Sequence, residues 1–342
     1  MPELSIRTRA PFDFASTARF LRFTDAEAVD TFTDTPGGGR YSRAIHFGER
    51  LFLLSVEFEG TLPARPAVRV ELTPEQFATP RILDDAARTV GDMFSLEHDL
   101  GAWRARLRAR DPLMRRLEAA HRGLRLPRWP SLCEALVTSI LLQQIATGVA
   151  ITFRRRLVER YGERLEAGGK TYVAFPRAEA LARAGVAELR ALGVSHAKAA
   201  CIIEAARACA HGELSSDALA REDNETVIAC LSALRGIGRW TAEWVLMLHF
   251  GRLDVFPAAD LFLRGVLVKY YNRGAALGER EIRASAAKRW GGFESYAALY
   301  FLAGMRAGTI TLQPGRVLSS GESDAKPTHR ARKKTTDRRD ET

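Results

Sequence analysis

A chain of 342 residues, 46% of them apolar, is long enough to bury a sizeable core and to divide into two or more domains. Its formal net charge of +10 suits a polyanionic partner, although a surplus of arginine kept for solubility produces the same balance. No apolar run approaches the length needed to cross a bilayer, and the first residues lack the apolar centre of a signal peptide, which argues against membrane and secreted classes and for a cytoplasmic protein. The four cysteines, Cys133, Cys201, Cys209 and Cys230, form no close pair and sit in apolar helical contexts, so four reduced core thiols are expected.

Residues 1–95 read as a small α+β domain. The segments 40–47 and 50–58, joined by Gly48-Glu49, predict a hairpin, and 66–72 alternates as a further strand. Pro36-Gly37-Gly38-Gly39 predicts a turn before the hairpin. Residues 15–23 and 84–94 predict helices laid against one face of an antiparallel sheet.

From Leu96 to residue 306 the pattern is helical nearly throughout. Asp111-Pro112 opens a helix, and residues 123–130 form an extended link into the next, which ends at the turn Gln143-Gln144-Ile145-Ala146-Thr147. Residues 152–165 predict an amphipathic helix whose Arg154, Arg155 and Arg156 belong to a solvated face. Ser195, His196 and Lys198 open a helix over 195–214, with Ser195 as its cap. Residues 278–306 predict two helices parted by Gly291-Gly292. The stretch 307–342 loses periodicity and is expected to be a disordered basic tail that adds nonspecific affinity for DNA.

The segment 224–264 carries the chemistry. Val227, Ile228, Leu231 and Leu234 recur at helical spacing, Gly236-Ile237-Gly238 interrupts, and apolar periodicity resumes from Trp240 through Val245 and Leu248. The reading is helix, tight hairpin, helix over about 224–250, with both glycines supplying backbone angles closed to other residues. Amides free at the start of the second helix, backed by the helix dipole, suit a phosphate oxygen, and Arg239 adds charge. Beyond the hairpin, Val255-Phe256-Pro257-Ala258-Ala259-Asp260 leads into another helix. Proline fits that helix start, and the dipole favours an acid there, so Asp260 is expected to stay ionised. Taken singly, each feature has a plain structural reading: an interhelical turn, or an aspartate that caps a helix.

Taken together, GIGRWTA at 236–242, the loop and Asp260 resemble the helix-hairpin-helix (HhH-GPD) superfamily of base-excision DNA glycosylases, most of all the bacterial 3-methyladenine DNA glycosylase II group. The resemblance implies a mostly α fold, with a helical core over 96–306 behind a small antiparallel-sheet domain. It implies a monomeric, nucleoid-associated enzyme that binds double-stranded DNA with damaged bases, flips out alkylated purines of the 3-methyladenine and 7-methylguanine type, and breaks the N-glycosidic bond with help from Asp260. By the same resemblance Trp240, Trp244 and Phe293 line the lesion pocket. Gly236, Ile237, Gly238, Arg239 and Thr241 hold the DNA backbone, as do Ser195 and Lys198. The turn at Gln144 and Ile145 fills the gap left by the base, with Ile145 as the matching position and Gln144 beside it.

No metal or cofactor serves the chemistry, although the hairpin carbonyls can share a structural cation with a phosphate. Relatives with an iron–sulfur cluster hold it with closely spaced C-terminal cysteines, and none follows Cys230. Relatives that also cleave the strand carry a lysine where this chain has Trp240, which implies a monofunctional enzyme without lyase activity. Leu261 and Phe293 depart from the tyrosine and tryptophan of some relatives. The competing readings are an oxidised-purine glycosylase with lyase activity and a noncatalytic helix-hairpin-helix protein that binds damaged DNA.

Overall fold

In the computed structural model, which describes residues 4–22, 29–35, 37–59, 66–107 and 111–312, the alternating segments near the N-terminus pair as a five-stranded antiparallel sheet of order β1-β5-β4-β3-β2. The strands are β1 (Leu4–Arg7), β2 (Asp30–Thr33), β3 (Arg40–Phe47), β4 (Arg50–Glu59) and β5 (Ala67–Thr73). The expected hairpin is β3–β4, with Phe47 opposite Arg50 across Gly48, whose φ is +61°. Two four-residue edge strands, β1 and β2, join the expected three; each is too short to display a period of two. Of the expected turn before β3, Pro36 lies outside the described residues, and the Gly38 amide donates to Thr35 O at 3.0 Å.

Two helices cover the sheet, α1 (Phe14–Leu21), capped by Asp13, and α2 (Pro80–Met93), capped by Thr79. Phe14, Val90 and Phe94 bury against Phe52, Leu54, Val56, Val68 and Val70. The stacked rings of Phe14 and Phe94 lie 5.2 Å apart.

The rest is a helical array with one interruption. In order come α3 (Leu100–Arg106), α4 (Pro112–Ala120), α5 (Leu132–Leu142), α6 (Thr147–Tyr161), β6 (Arg164–Ala167), β7 (Lys170–Val173), α7 (Ala178–Ala182), α8 (Val186–Ala191), α9 (His196–Ala210), α10 (Ser216–Leu219), α11 (Asn224–Ser232), α12 (Arg239–Leu248), α13 (Leu261–Val266), α14 (Glu279–Trp290) and α15 (Glu294–Arg306). A π turn, Leu267–Tyr271, extends α13. Helix α5 sits at the centre, buried from Leu132 to Leu141, with α6, α9 and α12 packed on it. Among the described residues no helix is long and apolar enough to cross a membrane. Residues 313–342, most of the expected tail, lie outside the described residues.

Three expectations are corrected. The helix expected over 152–165 stops at Tyr161, and Arg164–Ala167 pairs with Lys170–Val173 through Gly168-Gly169, both at positive φ. A two-residue turn with both φ positive is the kind that closes a hairpin, and Gly162 ends the helix where a Cβ would lie 2.3 Å from Ala174 O.

Arg154 is buried, not solvated: its Nη2 pairs with Glu134 Oε1 at 2.7 Å, and the other oxygen of that carboxylate takes Arg43 Nη2 at 2.8 Å. Arg154 shares the inward face of α6 with Ala150, Ile151, Leu157 and Val158, where a charge is tolerated because it is paired. Arg155 and Arg156 are exposed as expected. Of the cysteines only Cys133 and Cys201 are buried, while Cys209 is half-buried and Cys230 faces solvent, opposite the apolar side of α11 formed by Val227, Ile228 and Leu231.

Glu134 thus joins a guanidinium of the sheet to one of α6. Glu134→Ala removes the carboxylate shared by two buried guanidiniums, leaving Arg43 to Asp30 and Arg154 to Thr138, and should lower stability by about 3–5 kcal/mol in urea denaturation. Arg155→Ala, on the exposed face, should stay within about 0.5 kcal/mol of the parent.

Candidate active site

The hairpin is built as expected at its core. Ile237, 4% exposed, anchors the turn, and its amide donates to Leu234 O at 3.1 Å. Gly236 takes φ +92°, and a Cβ there would meet Cys201 Sγ at 3.1 Å. Gly238 differs from expectation: its φ of −104° is open to any residue. Nothing lies within 4 Å of the space its Cβ would fill. Its bareness leaves open space beside the first amides of α12, which lack intrahelical acceptors.

Arg239 is not held out toward a ligand. Its guanidinium clasps the Glu225 carboxylate through both Nη atoms, and its Nε reaches Glu243 Oε1 at 3.0 Å. Glu243 in turn takes Arg283 Nε at 2.8 Å. Such paired, forked contacts hold a guanidinium in place, so the expectation that Arg239 presents free charge is corrected.

Lys198 and Ser195 also have partners within the chain. Ser195 Oγ caps α9 by accepting from the Lys198 amide at 3.3 Å. Lys198 Nζ donates to Leu141 O at 2.9 Å and Gln143 O at 2.6 Å, satisfying carbonyls at the end of α5. Partial burial lowers the pKa of this ammonium. Beyond it, Gln144 is exposed with a left-handed φ of +52°, while Ile145 is half-buried. Sequence reasoning passed over Gln143, whose side-chain amide donates to Gly236 O at 3.0 Å and Thr241 Oγ1 at 2.9 Å. A polar residue just past a helix end gives no periodic signal of such a contact.

Asp260 stands where the hairpin meets the following loop. Its Oδ1 accepts from the Phe262 and Leu263 amides, each at 3.0 Å, and caps α13; its Oδ2 accepts from Trp240 Nε1 at 3.3 Å. Burial raises the pKa of this carboxyl above the ordinary aspartate value, and the three donors pull it back only in part. The helix start alone, invoked from sequence, therefore does not decide its charge.

The Trp240 and Trp244 rings meet at 6.2 Å and 67°, Trp240 half-buried and Trp244 8% exposed. Phe293 belongs to a second aromatic cluster, 5.9 Å from Trp103 and 6.4 Å from Tyr296. No ring contact joins Phe293 to Trp240 or Trp244 among the described residues; nearby, the Ser295 hydroxyl lies 2.7 Å from Arg252 O and 2.8 Å from Val255 O, tying the start of α15 to the chain after α12. Leu261, next to the acid, is 78% exposed.

A glycine elbow with open amides, a half-buried acid held against an indole and an apolar residue bared beside it together make a helix-hairpin-helix site. Comparison with known proteins agrees. Residues 137–291 match the HhH-GPD superfamily base excision DNA repair protein model, and residues 3–131 match the AlkA N-terminal domain model. The chain is 31% identical over 217 residues to a DNA-3-methyladenine glycosylase of Bacillus subtilis (strain 168), covering 64% of this chain and 71% of that one. It is 33% identical to DNA-3-methyladenine glycosylase 2 of Escherichia coli (strain K12), over 54% of this chain and 62% of that one. A solved 3-methyladenine DNA-glycosylase from Archaeoglobus fulgidus superposes with a TM-score of 0.74 at 25% identity, covering 90% of this chain and 99% of that one. The chain belongs to the HhH-GPD superfamily of base excision DNA repair proteins.

The raised pKa of Asp260 has a consequence for stability. Protons bind this carboxyl more tightly in the folded than in the unfolded chain, so its contribution worsens as pH rises through the folded pKa and recovers as pH falls. Asp260→Asn keeps an acceptor for the helix amides and removes the charge. In thermal melts it should raise Tm at neutral pH, with the gain shrinking as pH is lowered toward the ordinary aspartate range.

Proposed function

We propose that this protein is a monofunctional DNA N-glycosylase that removes alkylated purines from duplex DNA and starts base excision repair, working as a monomer on the nucleoid. The observation that carries the reading is Asp260, half-buried and 3.3 Å from Trp240 Nε1 at the foot of the hairpin. As the base leaves, positive charge develops at the sugar, much as in glycoside hydrolysis. A fixed carboxylate in a partly desolvated site stabilises that charge and directs water to it.

Alkylation at a ring nitrogen gives the purine a positive charge, and the face of an indole attracts it by about 2 kcal/mol when desolvated. The half-buried Trp240 offers that face, with Trp244 packed edge-on beside it, and Phe293 at the start of α15 is assigned to the same pocket by resemblance. A cationic base departs neutral, so no strong general acid is required. Trp240 supplies no amine for an imine, so the product is an abasic site in an uncut strand. The amides of Gly238 to Thr241 take the phosphate, with Ile237 fixing the turn beneath them. In the turn after α5, the half-buried Ile145 and the exposed Gln144 beside it fill the gap left by the base.

Hydrolysis by this route needs no redox or nucleotide cofactor. A structural cation shared between the hairpin carbonyls and a phosphate oxygen is part of the proposal; Leu234 O, which accepts one hydrogen bond and keeps a second lone pair, is the carbonyl that supports it.

Purified protein on duplex DNA containing methylated purines should release free base, and Asp260→Asn should release it roughly 100-fold more slowly or worse. Equal release by both removes Asp260 from the mechanism, and no release by either favours a binding protein. Borohydride should trap no covalent adduct; a trapped adduct contradicts the assignment drawn from Trp240.

A further inference from the structure

We propose that Gln143 is a positioning residue that fastens the gap-filling turn to the hairpin, so that gripping the phosphate and opening the base stack become one mechanical event. The proposal rests on the reading of this chain as a base-extruding enzyme.

Gln143 is the residue at which α5 ends. Both amide hydrogens of its side chain are committed to the hairpin, one to Gly236 O at 3.0 Å and one to Thr241 Oγ1 at 2.9 Å. The acceptors bracket the elbow. Gly236 is its left-handed residue, and Thr241, 1% exposed, lies in the first turn of α12 beside the open amides. The main chain of Gln143 is held from the other side, because its carbonyl accepts from Lys198 Nζ at 2.6 Å. One residue thus joins the ends of α5, α9 and α12.

The next residue, Gln144, is exposed, sits at φ +52° and has no hydrogen-bond partner among the described residues. Its direction is therefore inherited from its neighbours, and Gln143 is the neighbour with a fixed address. A hairpin seated on a phosphate transmits its position through this amide to the side chain that enters the duplex. Apolar contact alone does not fix a turn in this way, because it lacks direction.

The test uses the full chain and a duplex carrying 2-aminopurine beside a methylated purine, since 2-aminopurine brightens when it loses its stacking neighbours. Gln143→Met keeps length and removes both donors; Thr241→Val keeps shape and removes one acceptor. Gln143→Met should reduce the fluorescence gain at saturating protein roughly tenfold while affinity for undamaged duplex changes by less than about twofold. Thr241→Val should have a smaller effect, and the double variant should be no worse than Gln143→Met, as for two ends of one contact. When the lesion faces an abasic site, where its base pair is already missing and less has to be broken to extrude it, the deficit of Gln143→Met should shrink markedly.

Unchanged fluorescence in Gln143→Met, single effects that multiply in the double variant, or an equal deficit on both duplexes overturns the proposal. So does a wild-type protein that gives no fluorescence gain. Fluorescence reads extrusion and not bond cleavage, so failure of base release, which contradicts the proposed activity, is scored separately.

Discussion

The two oxygens of Asp260 face different tasks, and the site depends on that division. Oδ1 is spent on the amides that begin α13, which fixes the carboxylate in space, while Oδ2 is left to the Trp240 indole. A cap normally stabilises a carboxylate's charge, yet here burial outweighs the cap and the pKa rises. The charge is therefore disfavoured in its resting surroundings, and under the proposed mechanism positive charge developing at the sugar would relieve that cost. The indole makes two contacts, as donor to the acid and edge-on against the ring of Trp244.

The scaffold behind this contact is rigid where it needs to be. Glu134, on the central helix α5, accepts one guanidinium from the sheet and one from α6, so the sheet is tied to the helix that also ends at the turn of Gln143 and Gln144. Arg125, fully buried, donates to the carbonyls of Ser95 and His98 and so pins the extended link between α4 and α5 to the chain leaving α2. Buried ionic and polar contacts of this kind add little net stability, but they penalise alternative packings, because a shifted register leaves a charge without a partner. The hairpin and the turn after α5 are therefore held as fixed parts of the scaffold.

The parts of this design visible in the sequence were those with local causes. The β3–β4 hairpin, the helix starts at Asp111-Pro112 and Ser195, the Gly236 elbow and the acid after Pro257 each follow from what one or two residues allow the backbone to do. What was hidden depended on the third dimension. Arg154 looks like its neighbours Arg155 and Arg156, and only the distant Glu134 makes it an interior residue. Arg239 looks like a free cation until Glu225 and Glu243 close on it. Gly238 looks like a turn glycine, but its backbone is ordinary and its value lies in the space it leaves. The β6–β7 hairpin had a local signal, Gly168-Gly169, and was lost because the helical texture on either side masked it.

The central claim is that Asp260 works as a carboxylate tuned by Trp240. It is tested most directly by the single-turnover rate of base release against pH in the wild type and in Trp240→Phe. The rate should fall as pH drops through an apparent pKa above that of an ordinary aspartate. Loss of the indole donor, which lowers the carboxyl pKa, should move that limb to higher pH. A limb that stays in place in Trp240→Phe, or a rate indifferent to pH across this range, would contradict the account.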